Sequence, residues 1–251
     1  MPYGEIFAQV YNEYFTGFAT AVAPRIRDYF ESKPIATKNK SVLDLCCGTG
    51  QLALHFLQKG YYVVGIDSSK HMLSIARQNA SEYLSCGLVK FVEGDVTEFT
   101  LNGTFGLAVS TYNSLNHLAT LGDLRRCFMN VFSLLEKNGL FVFDLSTFAS
   151  IPLWSGITAS DGENATLLTR GVFDEKNNRI LTRTSGFARL RDGRIYRVDD
   201  TASLTLFKLQ SVEELLFEVG WAEVQFTDLV NLYSPLSNPE DYPEVFVIAT
   251  K

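Results

Sequence analysis

Between residues 42 and 145 the chain alternates between short, almost wholly apolar runs and longer stretches with helical spacing. The runs cover 42–46, 62–66, 89–92, 105–110 and 140–145, and helical patterns fill the intervals up to 59, 70–84 and 121–136. A strand that is apolar on both sides must be covered on both sides, and parallel strands joined by helical crossovers meet that demand. The pattern therefore predicts an α/β fold with a doubly wound, mostly parallel sheet. Local chemistry supports the boundaries. Ser68 or Ser69 can cap the second of these helices, Thr120 with Asp123 three residues on approximates a capping box, and Gly139 is a natural stop for the helix before it.

Outside this core the pattern changes. Residues 5–31 read as one amphipathic helix carrying Phe7, Val10, Tyr11, Tyr14, Phe15 and Phe18, followed by a polar linker at 33–40. Beyond Ser146 the segments 166–173, 180–190 and 194–206 are strand-like and joined by turn residues, which predicts an antiparallel insertion. A helix is expected from Ser211 to Gly220, then strands at 222–228 and 245–250 that return to the main sheet across a proline-bearing loop. The domain division is thus 1–146 with 207–251 as the main unit, 1–40 of it a helical cap and linker, and 147–206 as the insertion, a lid or dimer surface.

Twenty-two basic against 28 acidic residues give a net charge of −6, which opposes attraction to polyanions, so nucleic acid is not an expected partner. No window approaches the roughly 20 apolar residues of a membrane helix, and the amino terminus lacks the pattern of a secretory signal. Neither a membrane partner nor export is expected, and the cytoplasm is the predicted location. Cys46, Cys47, Cys86 and Cys127 lack metal or redox spacing and are expected to be small buried or partly buried hydrophobes, so no metal site is predicted. His55 and His71 read as surface residues of helices.

The first apolar run ends in Asp44-Leu45-Cys46-Cys47-Gly48-Thr49-Gly50, whose glycines let the backbone turn sharply and approach a ligand. Asp67 ends the second run, where an acid can accept both hydrogen bonds of a ribose diol. Asp95, after Gly94, ends the third. Three successive strands thus deliver an acid or a glycine to one edge of the sheet, and in open α/β sheets that edge is the binding crevice.

In these residues the chain resembles the class I methyltransferases that use S-adenosylmethionine, with the likeness running over about residues 40–146. The resemblance implies a Rossmann-like seven-stranded sheet. It also implies that Asp44 helps hold the methionyl ammonium, that Gly48 and Gly50 line the sulfonium and the carboxylate end, that Cys46, between Asp44 and Gly48, is a cofactor-binding residue, and that Asp67 binds the ribose. Asp95 falls at the adenine edge, Met72 matches a position packed on the adenine, and Val96 is a further cofactor-binding residue. Within the family the chain is most similar to small-molecule enzymes, including amino-sugar N-methyltransferases, which share an amino-terminal tyrosine helix and an antiparallel insertion. That likeness places Tyr11 near the sulfonium, although Asn12 stands where an aspartate is common. It also puts His117, in Thr111-Tyr112-Asn113-Ser114-Leu115-Asn116-His117, at the active-site floor.

The expected reaction is transfer of a methyl group from S-adenosylmethionine to a nitrogen or oxygen of a small molecule, leaving S-adenosylhomocysteine, with His117, Tyr11 and Tyr112 on the acceptor side. Tyr112, Asn113 and Asn116 can offer hydrogen bonds to a ligand or brace their own loop. The sequence does not name the acceptor. Two rivals stand. Gly48-x-Gly50-x-x-Ala53 followed by Asp67 also satisfies a dinucleotide fingerprint and would suit an NAD(P)-dependent oxidoreductase, but Asp44 would repel a pyrophosphate. A non-catalytic cofactor-binding homologue is the other.

Overall fold

The structure, a computed structural model, describes residues 3–251. Helices α1 (Glu5–Tyr14), α2 (Gly17–Glu31) and α3 (Ile35–Lys38) come first. The core follows: β1 (Ser41–Leu45), α4 (Gln51–Leu57), β2 (Tyr62–Asp67), α5 (Lys70–Asn79), α6 (Ser81–Ser85), β3 (Val89–Glu93), β4 (Phe105–Ser110), α7 (Leu121–Leu134) and β5 (Leu135–Ser146). After α8 (Ile151–Trp154) the chain forms β6 (Gly156–Asp161), β7 (Ala165–Asp174), β8 (Arg179–Arg189) and β9 (Ile195–Thr205). It closes with α9 (Leu209–Val219), β10 (Glu223–Thr227) and β11 (Glu244–Thr250).

Among these residues, seven strands form one sheet in the order β10, β11, β5, β4, β1, β2, β3, and β6 to β9 form a separate antiparallel sheet of four. In the larger sheet only β11 runs against its neighbours, β5 and β10. β1 pairs in parallel with both β2 and β4, so the direction of winding reverses beside it. At that switch point the loops after β1 and β4 diverge and leave a crevice.

Alternation along each strand supplies two cores. Val42, Val63, Leu107 and Phe246 pack with Ile26, Phe30 and Phe56 on one face. Leu43, Leu45, Phe141 and Phe143 pack with Phe128, Leu216 and Trp221 on the other. Each such side chain contributes roughly 1.5–3 kcal/mol by leaving water. Asp44, two residues from Val42, is held on the first face.

The four-stranded sheet divides its residues as sharply. Register pairs place Leu167, Ile180, Ala188, Val198 and Leu204 on an inward, buried face, and Ile157, Val172, Leu181, Phe187 and Ile195 on an outward, exposed one.

Several expectations need correction. The single helix predicted over 5–31 is two, because α1 packs Ile6, Phe7 and Val10 against the insertion while α2 packs Val22, Ile26 and Phe30 against the main sheet. One straight helix cannot serve both. The linker at 33–40 contains α3, which buries Ile35 and Ala36. The helix predicted over 70–84 breaks at Ala80 into α5 and α6. Gly139 does not stop a helix: α7 ends at Leu134 and runs straight into β5. The left-handed residue there is Asn138 (φ 64°), and a Cβ on Gly139 would meet the Glu136 carbonyl at 2.8 Å. Helix α9 opens at Leu209, two residues before Ser211, because Leu209 N–H donates to Glu240 Oε1 at 2.7 Å, a cap supplied from 31 residues away. β6 was not anticipated. All six of its residues are exposed, so no buried face imposes alternation. Cys86 is exposed, unlike the other three cysteines, and His55 is half-buried against Arg27 (3.2 Å).

Candidate active site

The loop after β1 turns through the left-handed region at Cys46 (φ 54°), Gly48 (φ 54°) and Gly50 (φ 81°). A Cβ on Gly50 would stand 3.2 Å from that of Ala76, so side-chain-free backbone is needed for α5 to approach the loop. Asp67 fastens the loop from β2. Its Oδ2 accepts from Gly48 N–H at 2.8 Å and its Oδ1 from Ser69 N–H at 2.8 Å. Burial pushes the Asp67 carboxyl up, and these backbone donors pull it back. Ser69 in turn caps α5, accepting from Met72 N–H.

Asp44 is 2% exposed, and its Oδ2 has no partner. Burial, with Asp67 nearby, pushes its carboxyl up to about 8. A buried carboxyl without a cation is costly to ionise. An ammonium group beside it would satisfy the oxygen and restore its charge, so the site fits a cationic amino acid tail. Met72 is buried at the start of α5. Asp95 is exposed and accepts from Thr97 N–H and Oγ1 at 2.8 and 2.7 Å, while Val96 is buried in the second core. Gly94 N–H donates to the Asp67 carbonyl at 3.1 Å, which holds the loop after β3 beside the end of β2.

Across the crevice, the loop after β4 begins with Tyr112 (φ 70°) and Asn113 (φ 56°), two consecutive residues in a region that disfavours side chains. Asp144 on β5 holds them: Tyr112 N–H donates to Oδ2 at 2.9 Å and Asn113 N–H to Oδ1 at 3.0 Å. Burial and the neighbouring Glu244 raise the Asp144 carboxyl, opposed by these two donors. Asn116 is fully buried. Its side chain accepts from Ser146 N–H (2.9 Å) and donates to the carbonyls of Ser146 (3.1 Å) and Thr205 (2.8 Å). It therefore braces loop, β5 and β9 together and is not free for a ligand.

His117 sits at the end of this loop. Its Nδ1 lies 3.1 Å from the Ser203 carbonyl, which can only accept, so the ring proton is assigned to Nδ1 and Nε2 is left as an acceptor. Burial lowers the pKa of the ring, which favours the neutral form. Nε2 receives the phenol of Tyr3 at 3.0 Å. Tyr3, not singled out by sequence reading, spans the crevice: its N–H donates to Asp200 Oδ1 at 3.1 Å and its carbonyl accepts from Ser69 Oγ at 2.9 Å. Tyr11 lies over Gly48, 6.2 Å from the Tyr112 ring centroid, and burial raises its phenol pKa. Tyr112 stacks on Phe18 at 4.9 Å. Asn12 ties α1 to the glycine loop's surroundings, accepting from Gln51 Nε2 and Asn79 Nδ2, both at 2.9 Å.

The predicted residues of the loops after β1, β2 and β4 thus converge, with Tyr11 above them and Tyr3 between Tyr11's helix and His117. The cavity left among Tyr11, Asp44, Cys46 and Thr111 is about 20 Å³, space for a single water. Ordinary ligand pockets are about 300–1,000 Å³, and Tyr11 of α1 is among the side chains that fill this one. A larger groove of about 680 Å³, lined by Tyr29, Lys33, Gln225 and Phe226 among others, contains none of the predicted site residues.

A family model described as a methyltransferase domain matches residues 42–139. YqeM of Bacillus subtilis (strain 168), named as a methyltransferase with no acceptor given, is 31% identical over 195 residues, which span 74% of this chain and 77% of that protein. A glycine/sarcosine N-methyltransferase of Parasynechococcus marenigrum (strain WH8102) is 26% identical over 214 residues, 82% of this chain and 71% of that one. Among solved structures, CalS10 from Micromonospora echinaspora, an amino pentose methyltransferase determined with S-adenosylmethionine bound, superposes with a TM-score of 0.72 at 18% identity, covering 96% of each chain.

Proposed function

Because the chain belongs to the S-adenosylmethionine-dependent methyltransferases, we propose that it moves the cofactor's methyl group to a nitrogen or oxygen of a small molecule. The observation that carries this reading is the convergence of two unlike half-sites on one sheet edge: a glycine loop flanked by Asp44 and Asp67 with Tyr11 over it, and the loop after β4 with Tyr112 and a histidine that burial keeps neutral. Relatives that act on glycine, sarcosine and an amino pentose support a small acceptor. The family assignment leaves no role for the dinucleotide reading of the glycine loop.

On this reading Asp44 holds the methionyl ammonium, Cys46, Gly48 and Gly50 line the sulfonium end, Asp67 takes the ribose diol, and Met72, Asp95 and Val96 border the adenine. When bound, the cofactor supplies an electrophilic methyl on a positively charged sulfur. Positioning then dominates, and holding the reacting groups in line is worth roughly 7–11 kcal/mol. Tyr11 and Tyr112 shape the approach. His117, kept neutral by burial with Nε2 toward the crevice, accepts a proton from the acceptor or orients its lone pair, a contribution of about 10²-fold.

The insertion also offers a surface for a second copy, with five exposed apolar side chains on its outward face beside the unpaired edge of β6. Sedimentation as a monomer at micromolar concentration would remove that part of the reading. The reaction itself is tested by incubating the protein with methyl-labelled cofactor and a small-metabolite extract. Label should appear in a small molecule. Binding of the cofactor with no label transferred would favour a non-catalytic homologue.

A further inference from the structure

The inward face of the four-stranded sheet carries a single charged side chain. Register pairs align Thr169, Thr184 and Asp200 across β7, β8 and β9 as one inward row, and the two threonine hydroxyls lie 3.0 Å apart. The five arginines of these strands, at 170, 179, 183, 189 and 197, all fall on the outward face, because each pairs in register with or alternates to its exposed apolar residues. Asp199, which holds Arg183 and Arg197 at 2.8 and 3.1 Å, is outward too. Asp200 is therefore a half-buried carboxylate with no basic side chain on its own face.

Its hydrogen-bond partner among the described residues is informative. Tyr3 presents a backbone N–H to Asp200 and a phenol to His117 Nε2, so one tyrosine bridges the lone carboxylate and the proposed catalytic histidine. Its ring makes edge contacts with Phe7 (5.5 Å) and His117 (5.9 Å), the contacts that a flat small molecule would make. An amide is a weak partner for a half-buried carboxylate. An ammonium would form the stronger, charge-assisted bond, whereas a carboxylate or phosphate there would be repelled by Asp200.

Resting on the methyltransferase reading, we propose that Tyr3 occupies the acceptor's place and that Asp200 selects an acceptor with a cationic, hydrogen-bond-donating group about one tyrosine length from the atom presented to His117. Anionic groups, phosphate included, are excluded from that end of the pocket.

Tyramine and 3-(4-hydroxyphenyl)propionate share Tyr3's phenol and differ in the charge at the far end, which makes them direct probes. Their binding is measured by calorimetry with S-adenosylhomocysteine saturating, in the parent chain, Tyr3→Gly, and Tyr3→Gly combined with Asp200→Asn or Asp200→Lys. Tyr3→Gly should bind tyramine about ten-fold or more tighter than the carboxylate, and tighter than the parent, where Tyr3 competes. Asp200→Asn should erase the preference and Asp200→Lys should reverse it. Equal binding of the two compounds, binding of neither, or a preference that survives Asp200→Asn would overturn the proposal. Failure of S-adenosylhomocysteine to bind the parent chain would instead sink the methyltransferase reading beneath it.

Discussion

Asp67 Oδ2 accepts a hydrogen bond from the backbone of Gly48 at 2.8 Å, so the acid that ends β2 and the glycine loop that follows β1 are one unit, not two neighbouring features. Asp67→Ala should therefore lose a ribose contact and loosen the loop together. The expected effect is a loss of about 1.5–3 kcal/mol in S-adenosylhomocysteine affinity, the scale for hydrogen bonds to a charged group. Circular dichroism should show the fold retained. Affinity equal to the parent's would mean that Asp67 does not touch the cofactor.

Asp44 gives the site a pH dependence whose sign can be stated. Its carboxyl is raised in the folded chain to about 8 from an ordinary value near 3.8, so the fold loses stability as pH rises between these values and the unfolded chain gives up a proton the folded chain keeps. An ammonium held by Asp44 needs the ionised form. Cofactor affinity should thus climb as pH rises from 6 to 8, by up to about ten-fold per unit, and the climb should vanish in Asp44→Asn. Without ligand, Asp44→Asn should melt higher than the parent at pH 8, by about 2–4 °C for each kcal/mol recovered. A flat pH profile in the parent would detach Asp44 from the ammonium.

The loop carrying Tyr112 depends on Asp144, which alone accepts from two buried or half-buried N–H groups of a left-handed pair. Removing it leaves both donors unmet, at about 1–3 kcal/mol each. Asp144→Ala should lower stability by roughly 2–4 kcal/mol in chemical denaturation. Asn113→Gly, which suits a positive φ, should be tolerated. A harmless Asp144→Ala would show that the loop holds its shape without this clamp.

The same residues show what a linear reading can reach. The strands at 42–46, 62–66 and 105–110 were legible because burial on both faces makes each a continuous apolar run, and their carboxyl ends carry the cofactor residues within a few positions of the run itself. β6 was not, since a strand exposed on both faces obeys no pattern. Neither was the α1–α2 break, which comes from two cores claiming adjacent segments. Tyr3, Asp144 and Asp200 escaped for another reason: their partners lie 114, 31 and 197 residues away, and no local spacing encodes such a contact.

On the acceptor side, His117→Ala should reduce turnover by about 10²-fold with cofactor affinity changed by less than about 0.5 kcal/mol, because Asp44 and Asp67 are untouched. Tyr11→Phe should be milder if the ring acts by packing over Gly48, and comparable if its hydroxyl orients the acceptor. Initial rates with the identified acceptor, set beside calorimetric affinities, separate these cases. Unchanged turnover in His117→Ala would move the acceptor site away from the loop after β4.

The central claim is that the acid-ringed loop after β1 holds S-adenosylmethionine, and titration calorimetry of the unmodified chain tests it most directly. S-adenosylmethionine and S-adenosylhomocysteine should each bind at one site per chain, while NAD, whose pyrophosphate would meet Asp44 and Asp67, should release no heat of binding. NAD binding more tightly than S-adenosylhomocysteine would contradict the account.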